Sequence, residues 1–257
     1  MDLTFFLKEY LKQRPLFLSL IRAKEAELYQ KYQPLKHTIL DVGCGDGYFA
    51  KVTFAKSIQL TEGIIDVGLD LKASRIKEAR KLGVYKKLVT YDGRYIPFPK
   101  NSFQTVVSNC VLEHVEDLPA LLGEVFRVLK PSGLFLTTVM ARPWEDYLFG
   151  AKIFGHLYKD YMRKKQIHRN LYTKKEWDEV FKKVRFKIKE IKGYLSPQTC
   201  QLIDICHYIS LPSLISYKLT GKWVLLPSIY PVQLLSKVLS QKVNQDHSGA
   251  IFYALKK

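Results

Sequence analysis

The sequence predicts an α/β fold: a doubly wound, mostly parallel sheet of seven strands, preceded by a helical lid and carrying helical insertions late in the chain. Three observations predict it. An apolar run, Thr38 to Val42, stops at three alternating glycines, Gly43, Gly45 and Gly47, and a helix-like pattern follows, as for a buried parallel strand, a tight turn and a helix N-terminus. Further short apolar runs alternate with amphipathic segments at β-α-β spacing. The 257 residues are 47% hydrophobic and 13% aromatic, enough to bury a sizeable core and too apolar for wholesale disorder.

The elements follow in order. Residues 4–33 place Phe5, Phe6, Tyr10, Leu11, Leu16, Leu20, Ile21 and Leu28 at helical spacing. Pro15 divides this leader into two helices and Pro34 ends the second. Such a leader is expected to lie over the ligand end of the sheet, so 1–35 reads as a lid and 36–257 as the sheet domain. Arg22 and Glu25, three apart on one face, are expected to pair with each other. Strands are expected at 38–42, 64–70, 87–91, 103–108 and 134–139, with helices at 73–82 and 118–129. Lys130-Pro131-Ser132-Gly133 reads as a turn into the fifth strand. A helix at 174–183, a strand at 184–193 and a final antiparallel strand at 249–255 complete the sheet. Two stretches exceed what the connections need and read as caps, 141–171 and 194–248.

Composition narrows the partners. The net charge is +17, and residues 141–257 hold 21 basic against 9 acidic side chains, whereas residues 1–140 hold 20 against 15. The later part is therefore the face expected to meet an anionic partner. Cys44, Cys110, Cys200 and Cys206 have neither zinc-site nor thioredoxin spacing, so no metal is expected and a reduced, cytoplasmic setting is. Asp2 and Glu9 argue against a signal peptide, and no run of about 18 apolar residues suggests a membrane span.

Ligands of doubly wound sheets bind at the carboxyl ends of the strands, which selects the residues that matter. A dinucleotide turn needs G-x-G-x-x-G, but here the third glycine comes one residue early and Tyr48 stands in the reserved place. Asp70 ends the second strand, where a carboxylate can accept both hydroxyls of a ribose or cap the next helix. Asp92-Gly93 ends the third, and could meet an adenine or form a plain turn.

With Asp41 leading, D-x-G-x-G-x-G resembles the first motif of the class I S-adenosylmethionine-dependent methyltransferases. Asp92, Ile96-Pro97-Phe98, Val107-Ser108-Asn109, Leu112-Glu113-His114 and Leu129-Lys130-Pro131 are similar to the type 11 branch, over about residues 36–140 and more weakly at 172–193. The resemblance implies S-adenosyl-L-methionine as cofactor, with Asp41, Gly43 and Gly45 at its methionine part, Asp70 at the ribose, Asp92 and Gly93 at the adenine, and Asn109 beside the sulfonium. Gln104, where Asp is usual, and Ser132, in place of a glycine, depart from the pattern.

Methyl transfer from a sulfonium is a displacement that needs alignment and, for a hydroxyl acceptor, a base. His114, after the fourth strand, is the expected base, with His168 second. Asn109-Cys110-Val111-Leu112 lacks the Pro-Pro-aromatic run of base-flipping methylases, and Cys110 lacks the preceding proline of cytosine methylases, so nucleic acid is not the expected acceptor. The expected activity is methylation, at oxygen, of a small-molecule or lipid-linked acceptor. The apolar insert at 194–248 with its lysines adds an expectation of peripheral contact with an anionic membrane surface. An RNA-modifying methyltransferase and a non-catalytic cofactor-binding protein stay open as alternatives.

Overall fold

In a computed structural model, residues 2–55, 64–224 and 226–257 are described. Seven strands form one sheet: β1 (Ile39–Val42), β2 (Ile65–Leu71), β3 (Tyr85–Tyr91), β4 (Phe103–Asn109), β5 (Leu129–Met140), β6 (Lys187–Gly193) and β7 (Ala250–Lys256). Their order is β3-β2-β1-β4-β5-β7-β6, and all pairings are parallel except those of β7 with β5 and β6. β1 lies central and buried at all four residues, which is why its stretch is apolar without alternation.

Each sheet face has its own core. One is covered by α5 (Leu118–Val128) and α8 (Lys174–Lys183). Leu118, Leu121, Leu122, Val125 and Val128 recur at helical spacing on the buried side of α5, which starts at an Asp117 carboxylate accepting from Ala120 N at 3.1 Å. α8 starts at a reciprocal Thr173–Glu176 capping box and buries Trp177 and Phe181. The other face is covered by α1 (Leu3–Leu11) and α2 (Leu16–Tyr29). The leader is thus a layer of the main core: Phe6, Leu7, Leu20, Ala23 and Tyr29 are fully buried, and the Tyr29 ring meets Phe252 of β7 edge to face at 5.3 Å.

The differences from the sequence expectation are local. After the glycines the chain makes only one α-turn, α3 (Tyr48–Ala50), then a wider π-helical turn to Ala55. The next helix, α4 (Ile76–Lys81), is shorter than 73–82. The expected turn at 130–133 is absorbed into β5 as a bulge, where the register jumps from Phe103↔Leu129 to Thr105↔Leu134 and Ser132 takes φ +59°. β6 starts at Lys187 because Arg185, at φ +73°, still belongs to the turn after α8.

The stretch at 141–171 forms α6 (Pro143–Tyr147) and α7 (Phe149–Gln166), and 194–248 forms α9 (Pro197–Ile209), α10 (Pro212–Thr220) and α11 (Val232–Leu239). A buried carboxylate ties two of them: Asp204 on α9 accepts from Gly150 N at 2.9 Å and from the Tyr158 hydroxyl at 2.6 Å, both on α7. No helix among the described residues is long and apolar enough to cross a membrane.

Candidate active site

The turn after β1 takes its shape from left-handed backbone. Gly43 has φ +77°, and a Cβ there would lie 2.4 Å from a methyl of Val111. Gly45, at φ +56°, is different: a Cβ would meet nothing within 4 Å, because its backbone faces open space. That space is a cavity of about 760 Å³. Asp41, Gly43, Gly45 and Asn109 line it, so the structure brings four of the sequence-predicted residues together.

The carboxylates around the turn are held differently. Asp41 is buried and accepts from the Tyr85 hydroxyl at 2.7 Å. Burial pushes its carboxyl up to about 7, against the pull of the Tyr85 bond, and the nearby Asp70 charge adds to the rise. Asp70 accepts from Gly45 N at 2.6 Å and from Leu71 N at 2.7 Å, so the end of β2 fixes the orientation of the turn. The Ser74 hydroxyl, on the cavity wall after β2, is buried without a hydrogen-bond partner.

Asp92 and Gly93 sit at the end of β3 but outside the cavity wall. Asp92 is exposed and accepts from Tyr95 N and Arg94 N at 2.9 and 2.8 Å, and these bonds hold its carboxyl below the usual range. Its local geometry is that of a turn residue.

The two predicted histidines are brought together, though away from the cavity. Their rings lie 5.2 Å apart, and His114 Nδ1 is 3.1 Å from the Ile167 carbonyl. Burial lowers the pKa of His168 to about 4, with His114 and Arg163 adding to the shift. Arg169 N and Asn170 N donate to the Glu113 carbonyl, and the Asn170 side chain donates to Leu112 and Val115 carbonyls. This stretch therefore staples the chain after α7 to the turn after β4. His114 and His168, the expected bases, are not among the residues of the cavity wall; they pack against each other and the Ile167 carbonyl.

What stands at the end of β4 instead comes from the leader. Glu25 on α2 is fully buried, and its carboxylate accepts from Arg22 at 2.5 Å, Asn109 Nδ2 at 2.7 Å, Cys110 Sγ at 2.9 Å and the Tyr194 hydroxyl at 3.0 Å. Asn109 Oδ1 in turn accepts from Thr138 at 2.9 Å, so both ends of its amide are fixed. The expected Arg22–Glu25 pair exists, and Arg22 also lines the cavity. Burial, reinforced by the Glu25 and Glu113 charges, pushes the Cys110 thiol far up; it remains a donor rather than a thiolate nucleophile.

Five further residues close the cavity. Arg14, between α1 and α2, makes two bonds of 2.7 and 2.5 Å to Asp46 of the glycine turn and lies 4.7 Å over the Tyr48 ring. His207 on α9 is the one histidine among the described residues that lines the cavity, edge to face with Phe17 at 4.6 Å. Burial lowers its pKa, so it is neutral near pH 7. Leu211, Leu214 and Trp223 supply an apolar wall beside it. Asp46 was visible inside the glycine motif. His207 carried no sequence signal, because only the packing of α9 against the leader brings it to the site.

Residues 40–137 match the model of the methyltransferase domain family. Over 130 residues the chain is 29% identical to a demethylmenaquinone methyltransferase of Symbiobacterium thermophilum, covering 48% of this chain and 50% of that one. Over 101 residues it is 35% identical to the mitochondrial arginine-hydroxylase NDUFAF5 of Rattus norvegicus, covering 38% of this chain and 27% of that one. The chain thus spans half or less of the length of these relatives. A solved S-adenosylmethionine-dependent methyltransferase from Thermotoga maritima superposes with a TM-score of 0.59 at 16% identity, over 94% of this chain and 91% of that one, a likeness of fold. Residues 40–137 are thus a methyltransferase domain by the family match, and the glycine turn and sheet order around them are similar to those of the class I S-adenosylmethionine-dependent methyltransferases.

Proposed function

We propose that the protein transfers a methyl group from S-adenosylmethionine to the oxygen of an apolar small-molecule or lipid-linked acceptor. The observation that carries this reading is that the glycine turn, His207 and the apolar side chains of Leu211, Leu214 and Trp223 line one and the same cavity. A methyl donor and a hydrophobic acceptor can share such a space.

The residues present fit the cofactor. Gly45 leaves open backbone where a side chain would intrude, and Asp41 offers a carboxylate for an ammonium in a poorly solvated wall. The unpartnered Ser74 hydroxyl and the Asp70 carboxylate, both at or after the end of β2, would offer a ribose polar partners. Asp92 and Gly93, on the neighbouring strand end, keep the adenine role that the family resemblance implies. When bound, the cofactor supplies an electrophilic sulfonium methyl and a thioether leaving group. The chain's part is to align, desolvate and take a proton. Asn109, fixed at both amide ends, and Glu25, held by four donors, make a stiff floor at the end of β4. His207, neutral near pH 7, would take the proton of the acceptor's hydroxyl. In this reading His114 and His168 shape the neighbouring loop.

The test is calorimetry with S-adenosylmethionine against NAD, followed by transfer of labelled methyl into a cell extract. Label in the organic-soluble fraction, with S-adenosylhomocysteine released, is expected. Binding of NAD alone, or label confined to protein or RNA, would overturn the proposal.

A further inference from the structure

The exposed apolar side chains of this protein are not scattered. Nineteen large hydrophobic residues stand exposed among the described residues, and all but Leu71 and Tyr95 lie between Phe149 and Leu234, on α7 and the cap that contains α9, α10 and α11. Single exposed hydrophobics are ordinary, but a concentration of this kind marks a surface that is covered in use. α10 is the extreme case: it buries none of its residues, while Ile215 and Leu219 are 64% and 79% exposed. A helix with apolar side chains and no buried face gains little from the fold that carries it. Its Tyr217 stacks on Trp223 at 4.3 Å, an aromatic pair of the kind that sits at an apolar–aqueous boundary.

The charge around these residues has one sign. From residue 205 to 245 there are four lysines, Lys218, Lys222, Lys237 and Lys242, and no acidic residue. α7 carries five basic residues against Asp160 alone. Apolar helices flanked by cations suit the boundary between anionic headgroups and acyl chains, where both terms are favourable. A soluble protein partner would have to match apolar area and negative charge together, whereas an anionic bilayer offers both everywhere.

The same elements border the cavity. Lys165 at the end of α7, Ser210 after α9, Leu211 and Leu214 at α10, and Trp223 all line it. We propose that α7, α9 and α10 dock this protein on an anionic lipid bilayer, with the cavity mouth turned toward the membrane so that a membrane-dissolved acceptor enters without crossing water. The acceptor route rests on the methyltransferase reading above; the docking itself does not.

The test is flotation with vesicles of equal parts phosphatidylcholine and phosphatidylglycerol, with pure phosphatidylcholine vesicles as comparison. The full chain should bind the mixed vesicles, more weakly as salt rises, and bind the pure ones poorly. The double variant Ile215→Glu, Leu219→Glu changes two exposed positions outside the cavity wall, so its circular dichroism and S-adenosylmethionine affinity should match the parent while vesicle binding falls by about tenfold or more. A folded double variant that floats as well as the parent would overturn the proposal. So would a parent that ignores the vesicles, whether it remains a monomer by light scattering or forms a dimer that the same substitutions dissolve, the latter assigning the face to a second copy of this chain. Failure of S-adenosylmethionine binding with vesicle binding intact would remove the methyl-transfer reading and leave the docking face standing.

Discussion

Replacing Asp41 with asparagine should make the ligand-free protein more stable and its cofactor site worse. Burial lifts this carboxyl from an ordinary 3.8 to about 7, so between those values the folded chain holds a proton that the unfolded chain has released. Stability therefore falls as pH rises through that interval, and the loss is complete once the folded carboxyl is ionised. At about 1.4 kcal/mol per tenfold change in proton affinity, the full cost above pH 7 is at most roughly 4 kcal/mol. Asparagine carries no charge and keeps an oxygen to accept from the Tyr85 hydroxyl. Its advantage over the parent should be near zero at the acid end of the interval, grow across it, and level off above about pH 7. Urea unfolding without cofactor, repeated across that range, measures the difference directly. Calorimetry should show the opposite trend for S-adenosylmethionine, a loss of about 1–3 kcal/mol as its ammonium loses a charged partner. A stability difference that does not change with pH would refute the reasoning about burial. Undiminished affinity would refute the ligand role.

Other substitutions separate the remaining roles. Asp70→Ala removes the acceptor of Gly45 N and the proposed ribose contact, so S-adenosylmethionine affinity should drop by about 1–3 kcal/mol, read by the same calorimetry. His207→Gln should lower turnover about a hundredfold at unchanged cofactor affinity and flatten the acid limb of the rate profile. His114→Ala and His168→Ala should leave turnover close to the parent's, and a large loss in either would return the base to the turn after β4. Ser132→Gly relieves a non-glycine residue at φ +59° and should raise the urea midpoint by the equivalent of about 1 kcal/mol.

The sheet was legible because parallel strands bury both faces, so each reads as a short apolar run, and because Gly43 and Gly45 mark a backbone that side chains cannot share. Asp41 was singled out by the motif resemblance and Asp70 by its strand-end position, and their ligand roles stand as proposals. The place of His114 and His168 off the cavity wall was not legible. Nearness in sequence to the end of β4 says nothing about which way the following turn faces, and the His114 ring meets His168 and the Ile167 carbonyl instead of lining the cavity. Glu25 was read correctly as the partner of Arg22, yet three of its four donors come from residues 84 to 169 positions away, beyond any local pattern. The family departure at Ser132 was legible as a missing glycine, and the bulge explains why glycine suits that place.

The Glu25 carboxylate makes the first 35 residues inseparable from the rest. A fragment trimmed to the sheet domain would leave Asn109, Cys110 and Tyr194 pointing at an acceptor that is no longer there, and would uncover the ring of Phe252 on which Tyr29 rests. The smallest unit able to hold a ligand is for that reason larger than the family-matched middle of the chain, and attempts to express a minimal catalytic core should begin upstream of α1.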